Sequence, residues 1–121
     1  MGDYTQIVLD LEVDPARVQE IRDHLKNFVS TSYYLNDPGL ATVDVDPYAK
    51  SLSSTGERLP MATLHVNCSV KYGHGIGALL DFLTDRVIDT PVFAGYERFE
   101  STDDPTLIYW TGAEFDRIEV E

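Results

Sequence analysis

The glycine-rich run from residue 73 to residue 78 is the stretch of this sequence most typical of a ligand site. It reads Gly73-His74-Gly75-Ile76-Gly77-Ala78, follows an alternating apolar strand and opens a helix, and so fits the G-x-G-x-x-G/A pattern. Helix amides at such a turn can hold a phosphate. A dinucleotide domain, however, needs a longer parallel series of strands and helices. We therefore favour a tight turn that starts the helix, and keep Gly73, His74 and Gly75 as candidate ligand-binding residues.

His65 is the second candidate for chemistry, because it lies with Asn67 and Ser69 on the polar side of a predicted strand. Residues 65 and 69 of a strand are roughly 13 Å apart, which is beyond proton-transfer distance, so they do not form a catalytic dyad. His65 is instead a candidate for the floor of a ligand site beside the glycine turn. No catalytic residue, and no enzymatic activity, is predicted.

Metal-ligand patterns are weak in this chain. Asp44 and Asp46, with Asp37 upstream, lack the glycine and the distal glutamate of a calcium loop. The three histidines are scattered, and none has the spacing to a cysteine or another histidine that zinc sites show. The sequence predicts neither a metal nor a cofactor.

Charge is distributed unevenly along the chain. The formal net charge is -12, and residues 97 to 121 hold eight acidic residues against two arginines. Aromatic residues interrupt these acids, and aromatic anchors within an acidic rim are typical of protein-binding surfaces. The alternative is a solvated face that only aids solubility. The candidate partner-binding residues are Glu97, Glu100, Asp103, Asp104, Tyr109 and Trp110.

Two segments of this region, Phe93-Ala94-Gly95-Tyr96-Glu97-Arg98-Phe99-Glu100 and Pro105-Thr106-Leu107-Ile108-Tyr109-Trp110, also carry a resemblance. They resemble the C-terminal part of small uncharacterised proteins from bacteriophage genomes. The resemblance implies a phage accessory protein that acts in the host cytoplasm. It implies no activity and no catalytic residue.

Composition limits the class of protein. A chain of 121 residues with 43% hydrophobic residues makes one folded domain, residues 1–121, and not a disordered segment. No run approaches a membrane span, no signal peptide precedes the first strand, and the single Cys68 predicts a buried thiol in a reducing, cytoplasmic compartment. The excess of acids opposes binding to nucleic acid or to anionic lipid, so we expect a basic protein partner.

Hydrophobic periodicity predicts the architecture. Tyr4–Val13 alternates as a strand, Asp14-Pro15 starts a helix that runs to about Val29, and the stretch from Met61 to Val87 repeats this order of strand and helix. The two halves predict an α+β fold, a ferredoxin-like βαβ-βαβ sandwich with two helices on one face of a mainly antiparallel sheet and with extra C-terminal strands. The predicted core includes Ile7, Leu9, Leu11, Leu64, Val66 and Val70.

Shorter elements complete the prediction. Residues 31–35 and 40–45 are strand candidates, and residues 46–60 form the longest loop. Residues 92–100, 106–111 and 114–120 are three consecutive C-terminal strands.

Three functions remain open on the sequence alone. The leading prediction is a small acidic non-enzymatic binding protein, a phage accessory or anti-defence factor that engages a basic host protein. The first alternative is a nucleotide- or phosphate-binding protein or enzyme that uses the Gly73–Ala78 turn. The second is an oligomeric structural protein whose terminal strand pairs with a neighbouring copy.

Overall fold

A computed structural model of the chain describes residues 4–31, 40–46, 61–71, 75–99 and 104–119. This part of the chain contains six strands and two α-helices. In chain order they are β1 (Tyr4–Val13), α1 (Val18–Thr31), β2 (Leu40–Asp46), β3 (Met61–Lys71), α2 (Ile76–Leu83), β4 (Val92–Phe99), β5 (Thr106–Trp110) and β6 (Phe115–Glu119). The described part of the chain has no helix with the length and apolar character needed to cross a membrane.

The six strands form one open sheet in the order β2-β3-β1-β4-β5-β6, and every neighbouring pair is antiparallel. Strand β1 lies near the centre, where Leu9 faces Val66 of β3 on one side and Gly95 of β4 on the other. Strand β3 separates β1 from β2, so those two strands run parallel to each other. The fold is therefore α+β, with the prediction of a mainly antiparallel sheet and extra C-terminal strands confirmed.

Side-chain alternation decides which face of the sheet forms the core. The odd-numbered residues of β1 and the even-numbered residues of β3 are buried, and the register places them on one face. The six predicted core residues Ile7, Leu9, Leu11, Leu64, Val66 and Val70 are each 2% exposed or less. The apolar stripes of both helices complete the same core, so both helices cover this face.

Helix α1 begins as the sequence predicts. The Asp14 side chain accepts a hydrogen bond of 2.9 Å from the amide of Ala16, and Pro15 opens a short 3₁₀ turn, Pro15–Arg17, that leads into the helix. Among the α1 residues up to 28, whose side chains the structure describes, the buried stripe consists of Val18, Ile21, Leu25 and Phe28. The helix ends at Thr31, two residues beyond the predicted end.

Helix α2 is shorter than predicted, because it ends at Leu83 and not at Val87. The amides of Thr84 and Arg86 donate to carbonyls three residues earlier, at 3.3 and 2.9 Å, which tightens the chain beyond the helix. Val87 can then form a β-bridge with Val13 at the end of β1. Val87 is still buried, so the prediction that it belongs to the core is confirmed, whereas the prediction that it lies in α2 is wrong.

Arg86 and His24 make side-chain contacts that connect the two helices. The Arg86 guanidinium bonds Glu20 of α1 at 3.0 Å and lies 4.0 Å from the centre of the Phe82 ring of α2. The His24 ring of α1 stacks on the same Phe82 ring, with 4.0 Å between centroids. Burial of His24, and secondarily the charge of Arg86, lower the pKa of His24 below its usual value.

Two predictions for the middle of the chain fall largely outside the described residues. The strand predicted for residues 31–35 overlaps them only at Thr31, which ends α1. Of the loop predicted for residues 46–60, Asp46 is the last residue of β2 and residues 47–60 are not described.

Candidate binding surface

The sheet has one face covered by helices and one open face, and the open face divides into two chemically distinct halves. The strands β2, β3 and β1 present polar residues there, including Asp10, Thr42, Asp44, Thr63, His65 and Asn67. The strands β4, β5 and β6 present mainly apolar and aromatic residues, with the charged Arg98 and Asp116 beside them. We call the second set the aromatic patch and define it as Phe93, Tyr96, Leu107, Tyr109 and Ile118.

The cross-strand register brings the aromatic patch together. Phe93 faces Tyr109, and their rings meet edge to face with 5.3 Å between centroids. Leu107 faces Tyr96 on one side and Ile118 on the other. Phe93 and Ile118 are each 48% exposed, so a contiguous apolar surface is open to solvent across three strands.

A β-bulge in β4 creates this arrangement. The register of β4 against β5 shifts between Phe93 and Gly95, which puts Phe93 and Tyr96 on the same face although they are three residues apart. A Cβ atom on Gly95 would lie 1.8 Å from the carbonyl oxygen of Val8, so the two backbones can approach only at a glycine. Simple alternation groups Phe93 with Gly95 and Glu97, and that grouping is wrong for Phe93.

Trp110, predicted as a partner anchor, occupies a core position. Its side chain is 2% exposed, packs against Phe115 with 4.9 Å between ring centroids, and donates its indole N–H to the carbonyl of Asp89 at 2.9 Å. Tyr109 is the preceding residue of β5 and lies on the open face instead. The two predicted anchors thus lie on opposite faces of one strand, and only Tyr109 is placed to meet a partner.

Glu97, predicted as a steering acid, is also on the helix-covered side of the sheet. Its side chain is 16% exposed and accepts a bond of 3.1 Å from Nε of Arg117. Burial raises the pKa of the Glu97 carboxyl, and the nearby Arg117 charge opposes this rise. Asp104 is exposed, whereas Glu100 and Asp103 lie outside the described residues. The six predicted partner-binding residues therefore do not form one surface.

The exposed acids nearest to the aromatic patch belong to the last hairpin. Asp116 faces Tyr109 across β5 and β6, so its carboxylate lies on the open face at the border of the patch. Glu114 precedes this strand and Glu119 ends it, and both are exposed but belong to the helix-covered side of the sheet. Asp116, together with Phe93, Leu107 and Ile118, was missed by sequence reasoning as a member of one site. The register was the missing information.

A cleft of about 400 Å³ lies between α2 and the β5–β6 hairpin, on the helix-covered side of the sheet. It is lined by Gly77, Leu80, Asp81, Thr84, Glu114, Phe115 and Arg117. Two carboxylates, Asp81 and Glu114, line it against one guanidinium, which is already paired with Glu97. This charge balance disfavours an anionic ligand.

The glycine turn itself is described only from Gly75 onward, so the candidates Gly73 and His74 lie outside the described residues. Gly75 has φ of 85°, a left-handed conformation that favours glycine, and its carbonyl accepts the first helical bond from Leu79 at 2.9 Å. A Cβ atom there would meet only the Phe28 ring at ordinary contact distance. The backbone conformation needed to start α2 thus accounts for Gly75.

His65, the fourth ligand candidate, is placed between two carboxylates on the polar half of the open face. Its Nδ1 contacts Asp10 of β1, and its Nε2 lies 3.8 Å from Asp44 of β2. A flanking pair of acids would repel a phosphate. Within the described ranges, no cluster of three or more His, Cys, Asp or Glu side chains could hold a metal ion.

Comparison of the chain with protein-family models, with curated proteins and with solved structures gives no match.

Proposed function

We propose that this protein is a small acidic non-enzymatic binding protein, and that the aromatic patch is the surface that contacts a basic protein partner. The observation that carries the proposal is the exposure of Phe93 and Ile118 on the same sheet face as Tyr109. Exposed contiguous apolar surface of this kind marks interaction sites in small soluble domains.

The charge of the chain determines the kind of partner. Asp116 borders the patch on β6 and Arg98 lies on the same face of β4, while the chain as a whole carries a net charge of -12. This net negative charge attracts a basic surface over long range, and aromatic side chains then hold it through contact. An arginine side chain fits such a surface because its planar guanidinium stacks on aromatic rings and pairs with carboxylates.

The proposal extends to the origin of the protein and the finer class of its fold. The resemblance of residues 93–100 and 105–110 to phage proteins supports an accessory or anti-defence factor in the host cytoplasm. The strand order β2-β3-β1-β4 supports a ferredoxin-like sandwich that β5 and β6 extend. In this order, the first strand of each half lies between the two strands of the other half.

Affinity capture with matched variants tests the function. The immobilised wild-type protein, Phe93→Ala and Ile88→Ala are each incubated with bacterial lysate at physiological salt, and retained proteins are quantified by mass spectrometry. Ile88 is the control because it is 52% exposed, similar to Phe93, but lies outside the patch. We expect one or a few basic proteins to be retained by the wild type and by Ile88→Ala, and to be lost from Phe93→Ala.

The proposal fails if the same proteins are retained by all three baits, or if no basic protein is retained above the level of an unrelated acidic bait. A melting curve of each variant shows whether a lost interaction reflects unfolding.

A further inference from the structure

The free side of β6 is an edge of the sheet that a further strand can extend. Strand β6 pairs with β5 in continuous register, and among the described strands no other pairs with it. Natural edge strands are usually protected by short length, by charges, by a bulge or by a proline. Strand β6, Phe115-Asp116-Arg117-Ile118-Glu119, has no bulge and no proline, but it is 5 residues long and Asp116, Arg117 and Glu119 are charged.

The turn between β5 and β6 fixes which backbone groups point outward. The amide of Thr111 donates to the carbonyl of Glu114 at 2.9 Å, and the amide of Glu114 donates to the Thr111 hydroxyl at 3.1 Å, so the backbone groups of residues 111 and 114 point toward each other as in a hydrogen-bonded pair. Hydrogen-bonded and non-hydrogen-bonded pairs alternate along an antiparallel ladder. Asp116 and Ile118 therefore direct their N–H and C=O groups toward β5, whereas Phe115, Arg117 and Glu119 direct theirs toward the free edge.

We propose that β6 pairs antiparallel with β6 of a second copy of this chain, about a two-fold axis at Ile118. In this register Arg117 faces Glu119 of the other copy, and Glu119 faces its Arg117. Both are pairs of outward-directed residues, so the backbone hydrogen bonds of residues 117 and 119 and the two opposite charges are satisfied together, whereas Phe115 would face residue 121, which lies outside the described residues. Ile118 meets Ile118 of the other copy as a non-hydrogen-bonded pair, the closer kind of pair for side chains.

The competing register, with its axis at Arg117, is unfavourable. It places Arg117 opposite Arg117 and sets Asp116 opposite Ile118, which buries no apolar pair and brings like charges together. Arg117 would turn from Glu97, which lies across β5 on β4, to pair with Glu119 of the other copy on the same side of the sheet. Pairing of the two edges joins the two sheets and places the two aromatic patches on one continuous face. Pairing of two β6 edges requires no basic partner.

Disulfide trapping tests the register directly. We expect Ile118→Cys to form a covalent dimer under mild oxidation, because paired positions about the axis lie within the separation of a disulfide. The matched control is Asp116→Cys, which lies on the same strand and face but is offset from its copy by four residues, roughly 13 Å. We expect it to remain monomeric on a non-reducing gel. The native Cys68 is buried and does not compete.

Sedimentation velocity of the wild-type protein provides the second measurement and needs no cysteine variant. We expect a dimer whose fraction rises with protein concentration. We expect Glu119→Arg to remain monomeric, because the substituted guanidinium would face Arg117 of the other copy. A wild-type protein that stays monomeric at 200 µM overturns the proposal. Equal trapping of Ile118→Cys and Asp116→Cys, or a dimer that persists in Glu119→Arg, overturns this register.

Discussion

Neighbouring residues with opposite surroundings explain why the predicted partner-binding residues do not form one surface. Tyr109 and Trp110 are adjacent in β5, and a strand directs adjacent side chains to opposite faces. Trp110 is buried beside the helices, and Tyr109 joins the open face. The same rule separates Glu97, which is bonded to Arg117, from Tyr96 in the aromatic patch. Aromatic and acidic composition could be read from the sequence, but the face of each residue depended on which strands pair.

Gly95 is the residue on which the aromatic patch depends most. We expect Gly95→Ala to lower the free energy of unfolding by roughly 2–4 kcal/mol, because the new Cβ atom collides with the backbone of β1. Gly77→Ala is the control, since a Cβ atom there meets nothing within 4 Å and alanine favours a helix by about 1 kcal/mol. Urea denaturation measures both. Similar stabilities for the two variants would show that the close approach of β4 to β1 is incorrect.

His24 gives the stability of the protein a specific dependence on pH. Its pKa is lowered in the folded state, so between that value and the ordinary value of 6.5 the unfolded chain binds more protons than the folded chain. The free energy of unfolding therefore falls as the pH is lowered from 6.5 through the folded pKa, and this contribution is constant above that range.

Substitution of His24 isolates this effect. We expect His24→Phe, which keeps a ring against Phe82, to lose less stability than the wild type between pH 7.5 and pH 5 in urea denaturation. The carboxylates titrate in both proteins and cancel in the difference. Parallel pH profiles for the two proteins would contradict the assignment.

At the level of elements, hydrophobic periodicity was sufficient to find all six strands and both helices of the described chain. The strong signals were long alternating runs such as β1 and β3, and the capping of α1 by Asp14 with Pro15. Periodicity did not predict the end of α2, because a buried valine at position 87 fits both a helical stripe and a β-bridge with Val13. It also could not reveal the bulge at Ala94, which depends on the pairing of β4 with two neighbours.

The central strands should determine most of the stability. We expect Leu9→Ala or Val66→Ala to cost roughly 2–4 kcal/mol of unfolding free energy, the usual range for truncating a buried side chain. Val8→Ala is the matched control, because Val8 lies on the open face of the same strand and is only partly buried. Chemical denaturation midpoints that do not distinguish Leu9→Ala from Val8→Ala would show that the two faces of β1 are reversed.

The start of α2 should not bind phosphate. We expect millimolar phosphate or ADP to leave the melting temperature unchanged, because a ligand stabilises the folded state only as RT ln(1 + [L]/Kd). The carboxylates of Asp81 and Glu114 in the neighbouring cleft are the physical reason. A reproducible upward shift that disappears in Gly75→Val would instead favour the ligand-binding alternative.

On the scale of the whole molecule, two helices cover one face of a sheet that is wider than they are. Four of the five residues of β6 are exposed, whereas β1 alternates between buried and accessible residues along its whole length. The strands added beyond β4 thus contribute little core and a large accessible surface. The core therefore lies around the central strands, and the proposed interaction surface lies on the strands toward one edge of the sheet.

Net charge should also affect the stability of the whole protein. With 21 acidic residues against nine basic ones, the folded state concentrates negative charge, and salt screens that repulsion. We expect the melting temperature to rise when sodium chloride is increased from 20 to 300 mM. Sucrose of equal osmolarity serves as the control, since it stabilises through exclusion from the surface but does not screen charge, and we expect a smaller rise in melting temperature with sucrose than with salt. A constant or falling melting temperature in salt would mean that local ion pairs, such as Arg86 with Glu20, outweigh the general repulsion.

The position of β1 between β3 and β4 has a consequence for the order in which the chain can fold. Tyr4 faces Lys71, and Thr5 faces Phe99, so the first strand pairs with residues that lie 67 and 94 positions further along the chain. Contacts this distant in sequence require long loops to close first, which slows folding. During synthesis, β1 cannot pair with β3 until residue 71 has left the ribosome, and it cannot pair with β4 until residue 99 has followed. The β5–β6 hairpin, in contrast, closes through a short turn between Thr111 and Glu114 and can form as soon as it is made.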